Sequence, residues 1–161
     1  LAKRRGMRRG LRWQLNDEER AFYKEQLATL GLGLETRLSD KVGLLSGGQR
    51  QAVTLLMATI QKPRLLLLDE HTAALDPATA SKVLRLTREI VESHHLTALM
   101  VTHNMKDALT IGNRLIMMDH GTIIYDVSGE EKKQLTVDDL LRKFEEASGV
   151  EFSNDRMMLS K

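Results

Sequence analysis

Apolar residues recur at helical spacing in several stretches and as short unbroken runs in two others, and that alternation sets an order of elements. Asn16-Asp17-Glu18-Glu19 predicts a helix start, with Asn16 as the cap and Glu19 reaching back to the cap's own amide. Tyr23, Leu27 and Leu30 then share one face, and Gly31 ends the helix. Residues 32–45 lack periodicity and read as a connector with one turn of helix. A second helix spans 46–61, with Val53, Leu56 and Ile60 on one stripe, and Pro63 stops it. The run Leu65-Leu66-Leu67-Leu68 predicts a strand buried on both faces.

Asp76-Pro77 reads as an N-cap followed by proline at the first helical position, and Val83, Leu84, Thr87, Ile90 and Val91 supply the stripe of the next helix. Residues 97–102 predict a second buried strand, then a helix over 104–110 that ends at Gly112. Residues 115–118 and 122–125, joined around Asp119-His120-Gly121, predict a hairpin. A last helix over 136–147 opens with a Thr136-x-x-Asp139 box and turns Val137, Leu140, Leu141 and Phe144 inward. No element is assigned to 149–161. The order helix, helix, strand, helix, strand, helix, hairpin, helix argues for a layered α/β domain with a mostly parallel sheet.

Composition narrows this picture. The 161 residues, 42% of them hydrophobic, suffice for one domain with a core. The absence of cysteine removes disulfide frameworks and thiolate metal sites. The longest apolar runs, 65–68 and 98–101 among them, fall far short of the roughly 18 residues that suggest a membrane span. No leader pattern opens the chain. A formal net charge of +2 is too small to argue for a nucleic-acid partner. Charge is uneven, however: Lys3, Arg4, Arg5, Arg8, Arg9 and Arg12 crowd the start, which reads as a solvated surface, with an acidic partner, lipid headgroups or nucleic acid as alternatives.

Four segments suggest chemistry. In Leu45-Ser46-Gly47-Gly48-Gln49, Ser46 and Gln49 can form a capping box. The box does not account for Gly47 and Gly48, each costing about 1 kcal/mol in a helix against alanine. Two glycines there suit close approach of a ligand to the free amides of a helix start, which attract anions. In Leu65-Leu66-Leu67-Leu68-Asp69-Glu70 a buried strand delivers two carboxylates to the sheet edge where α/β folds bind ligands. One carboxylate can hold magnesium through water and the other can orient an attacking water. His103 ends the next apolar strand, and Asp76 lies in Ala74-Leu75-Asp76-Pro77. Taken singly, each has a plain structural explanation: a cap, a polar strand end, a hydrogen-bonded histidine.

Their order and spacing resemble the nucleotide-binding domain of ATP-binding-cassette (ABC) ATPases over residues 15–125: signature at 45–49, Walker B at 65–70, D-loop at 74–76 and switch histidine at His103. The resemblance implies a P-loop NTPase fold of RecA-like, ABC type, here a partial core with a helical signature subdomain. It divides the chain into a helical signature part (1–62), a core part (63–128) and a C-terminal helix and tail (129–161). It implies ATP and Mg2+ as ligands and a head-to-tail dimer in which each ATP lies between one subunit's P-loop and the other's signature. Ser46, Gly47, Gly48 and Gln49 would then act on the partner's ATP, and Asp69 would serve Mg2+. Glu70 would be the general base or water-orienting carboxylate. His103 would reach the γ-phosphate, and Asp76 would signal across the interface. A membrane-spanning permease subunit would be a further partner, with the ATPase on the cytoplasmic face of the membrane. The wording of residues 69–76 is most similar to stand-alone ATPase subunits of bacterial importers, those for amino acids among them.

Two departures matter. No Gly-x-x-x-x-Gly-Lys-Ser/Thr occurs in the chain, and the adenine-stacking aromatic and glutamine loop are not identifiable. With Leu1 as first residue, this leads to the expectation that an N-terminal part carries them. By the same resemblance, the P-loop strand would lie between the His103 strand and the strand at 115–118. His71 stands where many family members carry proline or alanine, and reads as a variant surface position, with tuning of the site as the alternative. The competing functions are a non-transport ABC ATPase of DNA repair or translation and a non-enzymatic binding module. The single short helix in 15–43, without sustained heptads, counts against the coiled-coil chromosome-maintenance type.

Overall fold

The computed structural model describes residues 15–148; the basic opening stretch and the tail at 149–161 lie outside the described residues. The elements run α1 (Asp17–Ala28), α2 (Gly47–Thr59), β1 (Leu65–Asp69), α3 (Pro77–Ser93), β2 (Thr97–Val101), α4 (Met105–Thr110), β3 (Arg114–Asp119), β4 (Thr122–Ser128), α5 (Gly129–Gln134) and α6 (Val137–Ser148). Two single turns of 3-10 helix, Leu34–Thr36 and Val42–Leu44, occupy the connector before α2. The chain divides into two compact units, Leu1–Met100 and Val101–Lys161.

In the first unit, Leu30, Leu34, Ala52, Leu55, Leu56, Leu66 and Ile90 form the core, drawn from the α1–α2 connector, α2, β1 and α3. The buried face of α2 is Gly48, Ala52, Leu55, Leu56 and Thr59; of the stripe expected from apolar spacing, Leu56 is buried, Val53 packs half-buried against the core and Ile60 is half-buried. Thr59 can be buried because its hydroxyl donates to the Leu55 carbonyl at 2.9 Å, so no polar group is stranded. α1 buries none of its own residues; Leu30, just beyond it, is the buried anchor. β1 and β2 are hydrogen-bonded neighbours joined through α3.

The expectation that both strands are buried on two faces does not hold among the described residues. In β1 only Leu66 is buried, while Leu65 and Leu67 are 51% and 66% exposed. In β2 Leu99 and Val101 are each 52% exposed. Alternate side chains of a strand point to opposite faces, so Leu66 reaches the core beneath α2 and α3 while its neighbours face away from it.

In the second unit, β3 and β4 pair antiparallel from Arg114↔Ser128 to Asp119↔Thr122, with a register shift between Met117 and Met118. The two-residue loop His120-Gly121 has positive φ at both positions (43° and 78°), the backbone that matches the twist of a tight hairpin. Leu115, Val127 and Leu140 form the core, with Met105, Leu109, Tyr125 and Leu135 packed around it. α5 has no counterpart in the sequence expectation. Its Lys132 is buried, and its ammonium donates to the carbonyls of Leu109, Ile111 and Gly112 at 2.8, 2.8 and 2.9 Å. Three donors meet three acceptors and close the C-terminal end of α4.

Candidate functional site

The signature segment opens α2. Ser46 Oγ accepts the Gln49 amide at 3.2 Å and Gln49 Oε1 accepts the Ser46 amide at 3.1 Å, which completes the capping box. A hydroxyl that accepts in this way can still donate its own proton to a ligand. Ser46 and Gly47 are exposed, Gln49 is half-buried and Gly48 is buried.

The two glycines meet an intramolecular demand that sequence reasoning missed. A Cβ on Gly48 would overlap Thr79 Cγ2, and one on Gly47 would stand 3.0 Å from Leu75 Cδ2. The first turn of α2 therefore lies against the D-loop and the first turn of α3. Only glycine at 48 lets these two helix starts come so close. Asp76 caps α3 by accepting the Thr79 amide at 3.0 Å, and hydrogen bonds from the Thr79 hydroxyl and then its amide hold the Asp76 carboxyl below its ordinary pKa. Thr79 is thus fixed by the cap on one side and packed on Gly48 on the other.

Asp69 is the last residue of β1, and both Asp69 and Glu70 are exposed. Glu70 has φ +41°, the left-handed region, where a non-glycine residue costs of order 1–3 kcal/mol and persists only if its surroundings hold it. Glu70 opens a turn closed by the Ala73 amide donating to its carbonyl at 3.0 Å, followed by Leu75 donating to Thr72 at 3.1 Å. His71 is not a plain surface position. It is half-buried, and its Nε2 lies 3.1 Å from the Thr87 hydroxyl on α3.

His103 belongs to the second unit and is exposed. The residues after it are locally fixed: Thr102 Oγ1 accepts the Asn104 amide at 3.1 Å. Asn104 Oδ1 accepts the amides of Lys106 and Asp107 at 3.0 and 3.2 Å and so caps α4. The first unit thus brings together Ser46, Gly47 and Gly48 with Leu75, Asp76 and Thr79, and it sets Asp69 and Glu70 at the end of β1. Among the described residues, no group of three or more His, Asp or Glu side chains could hold a metal ion.

The family profile described as ABC transporter matches residues 4–73. Over 121 residues the chain is 51% identical to the tyrosine transport ATP-binding protein of Clostridioides difficile, covering 75% of this chain and 48% of that one. It is 38% identical over 124 residues to a phosphonates import ATP-binding protein of Cupriavidus metallidurans, covering 77% and 44%. Among solved structures, a metal-chelate type ABC transporter in an inward-facing conformation superposes with TM-score 0.66 at 27% identity, over 89% of this chain and 56% of that one. An ATP-binding cassette in its ADP conformation superposes with TM-score 0.64 at 27% identity, over 80% and 50%. The chain spans about half the length of the curated relatives it matches. Its fold is the corresponding part of an ABC-type P-loop NTPase, mixed α/β. On sequence and fold together, the chain belongs to the ABC transporter family, as part of one of its ATP-binding proteins.

Proposed function

We propose that the intact protein is the ATP-hydrolysing subunit of an ABC importer, which couples ATP binding and hydrolysis at a head-to-tail dimer to movement of a small organic solute. The observation that carries this reading is the pairing of two helix starts in one unit, the signature turn of α2 seated on the D-loop turn of α3. Ser46 and Gly47 remain exposed there, as a surface completed by a second chain requires. The α2 start offers amides and the positive end of its dipole to a γ-phosphate held by the partner subunit. Ser46 donates its hydroxyl, Gly47 and Gly48 permit close approach, and Gln49 fixes the turn. Asp76, beside them, communicates across the interface.

Glu70 acts as the general base or orients the attacking water, and His103 donates to the γ-phosphate as charge develops on it. Asp69 serves Mg2+ through water. The donor fits that ion: Asp69 is an exposed carboxylate at the end of β1, the kind of single oxygen ligand that a cation keeping its waters and sharing the substrate's phosphates takes. Such an ion would screen phosphate charge. The part at 1–62 faces a permease subunit, the core part at 63–128 serves catalysis, and the protein works at the cytoplasmic face of a membrane. No helix among the described residues is long and apolar enough to cross one. The 51% identity to a tyrosine transport protein, against 38% to a phosphonates import protein, favours an amino acid as the solute. Among the described residues the segment before the signature holds one 12-residue helix and no long coiled coil, which disfavours the chromosome-maintenance class.

The test is Glu70→Gln in the intact protein. Nucleotide binding is retained, turnover falls roughly 10²–10⁴-fold, the range for a positioned general base, and an ATP-bound dimer accumulates. Near-normal turnover would remove Glu70 from the role of base or water-orienting carboxylate.

A further inference from the structure

We infer that His71 is a positioning residue for hydrolysis, which holds the Glu70 carboxylate on target through its hydrogen bond to Thr87. This rests on the catalytic role proposed for Glu70. Glu70 sits at φ +41°, a conformation that its own side chain does not favour and that any loosening of the succeeding turn would let relax toward the extended region. Such a relaxation would re-aim the carboxylate while leaving β1 and Asp69 in place.

Besides its own turn bonds, from Ala73 to Glu70 and from Leu75 to Thr72, the segment after Glu70 is tied to α3 at His71 and at the α3 cap. The nearer is His71, the next residue in the chain, whose Nε2 lies 3.1 Å from Thr87 Oγ1. The farther is the α3 cap, where Asp76 accepts the Thr79 amide. Thr87 is a fixed anchor: it is 2% exposed, on the buried face of α3, and its hydroxyl donates to the Val83 carbonyl at 2.9 Å. A hydroxyl has one proton, so with that proton on Val83 it accepts from His71, and His71 carries its hydrogen on Nε2. The bond is directional, as a packed apolar side chain in that place would not be. It connects the residue next to the carboxylate with the helix that begins at the D-loop. A change in the seating of α3 therefore has a direct route to Glu70 through the His71 side chain.

The experiment uses steady-state ATP hydrolysis and nucleotide titration on the intact protein, with wild type and Glu70→Gln as references. His71→Ala is expected to lower kcat about tenfold with KM and nucleotide Kd within twofold, as a small misplacement of a reacting group does. Thr87→Val, which keeps the volume and removes the acceptor, gives the same split, and Thr87→Ser restores kcat. The double variant His71→Ala/Thr87→Val is no slower than either single one, because both remove one interaction. If His71→Ala fails to fold, the Thr87→Val and Thr87→Ser pair decides. The inference is overturned if Thr87→Val leaves kcat within twofold of wild type, or if KM and Kd shift along with kcat. If instead wild type does not hydrolyse ATP, or Glu70→Gln does not slow it, the proposed function itself fails.

Discussion

At the scale of single residues, the four capping residues behave as their sequence contexts predict. Asn16, Ser46, Asp76 and Thr136 each bond the amide three positions on, because a cap depends only on local spacing. Gly48 is legible in the sequence as unusual but not for the right cause, since its neighbour Thr79 lies 31 positions away and spacing along one helix cannot reveal a contact between two. This contact makes a prediction. Gly48→Ala gains helix propensity of about 1 kcal/mol but drives a methyl into Thr79, with a net cost of roughly 1–2 kcal/mol, as overpacked sites show. Thr79→Ser, which removes the offending methyl and keeps the hydroxyl beside Asp76, recovers the loss. Denaturant unfolding of the two single variants and the double one checks this; additive effects would mean that the two residues do not touch.

Elements show where periodicity succeeds and where it stops. α3 presents the expected face because its apolar stripe is long and regular, whereas of the four residues expected inward on α6 Leu140 is buried and Val137, Leu141 and Phe144 are half-buried. The buried face of α2 departs from the apolar stripe because Ala52 and Thr59, neither strongly apolar, are its most buried side chains. α5 escapes sequence reasoning because Gly129-Glu130-Glu131-Lys132-Lys133-Gln134 reads as a solvated charged turn, and nothing local marks Lys132 as buried. Lys132→Met leaves three carbonyls without their donor and is predicted to destabilise the chain by roughly 2–3 kcal/mol, the scale of hydrogen bonds to a charged group. Lys132→Arg does not restore it, since a planar fork cannot serve three converging carbonyls. Thermal melting of the three proteins is the check, and full stability of the methionine variant would contradict the assignment.

Acid acts on the same elements. Asp76, Asp126 and Asp139 have lowered pKa values, caused chiefly by Thr79, Arg114 and Thr136. A carboxyl lowered on folding contributes stability above its unfolded pKa, near 3.9, and the contribution is lost as pH falls through the lower folded value. Asp139→Asn keeps capping ability without titrating. It is therefore predicted to flatten the fall in stability below about pH 4, measured by denaturant melts at stepped pH; an unchanged slope would contradict it.

For the whole chain, the described strands make two two-stranded sheets, β1 with β2 and β3 with β4. Leu67, Leu99, Val101 and Met118 are all more than half exposed. Apolar strands with uncovered sides and edges are templates for another chain, so residues 1–161 alone are predicted to self-associate. Light scattering combined with hydrogen exchange over 97–118 tests this, and a monomer with those amides strongly protected would contradict it. The same chain alone, which has no Gly-x-x-x-x-Gly-Lys-Ser/Thr segment, is predicted to bind Mg-ATP far more weakly than micromolar. The burial of both strands could not be read from their composition, because a run of leucines states that a strand needs covering but not which segment covers it.

The decisive question is whether Ser46 acts on a nucleotide held by another subunit. In the intact protein Ser46→Arg should abolish ATP-driven dimerisation, followed by sedimentation, while leaving monomer affinity for a fluorescent nucleotide within about twofold, since a residue acting only in the partner's site adds nothing to binding in its own. Ser46→Ala, which removes the cap oxygen and costs about 1 kcal/mol, controls for the loss of the α2 cap. Equal loss of monomer affinity in Ser46→Arg would contradict the arrangement in trans.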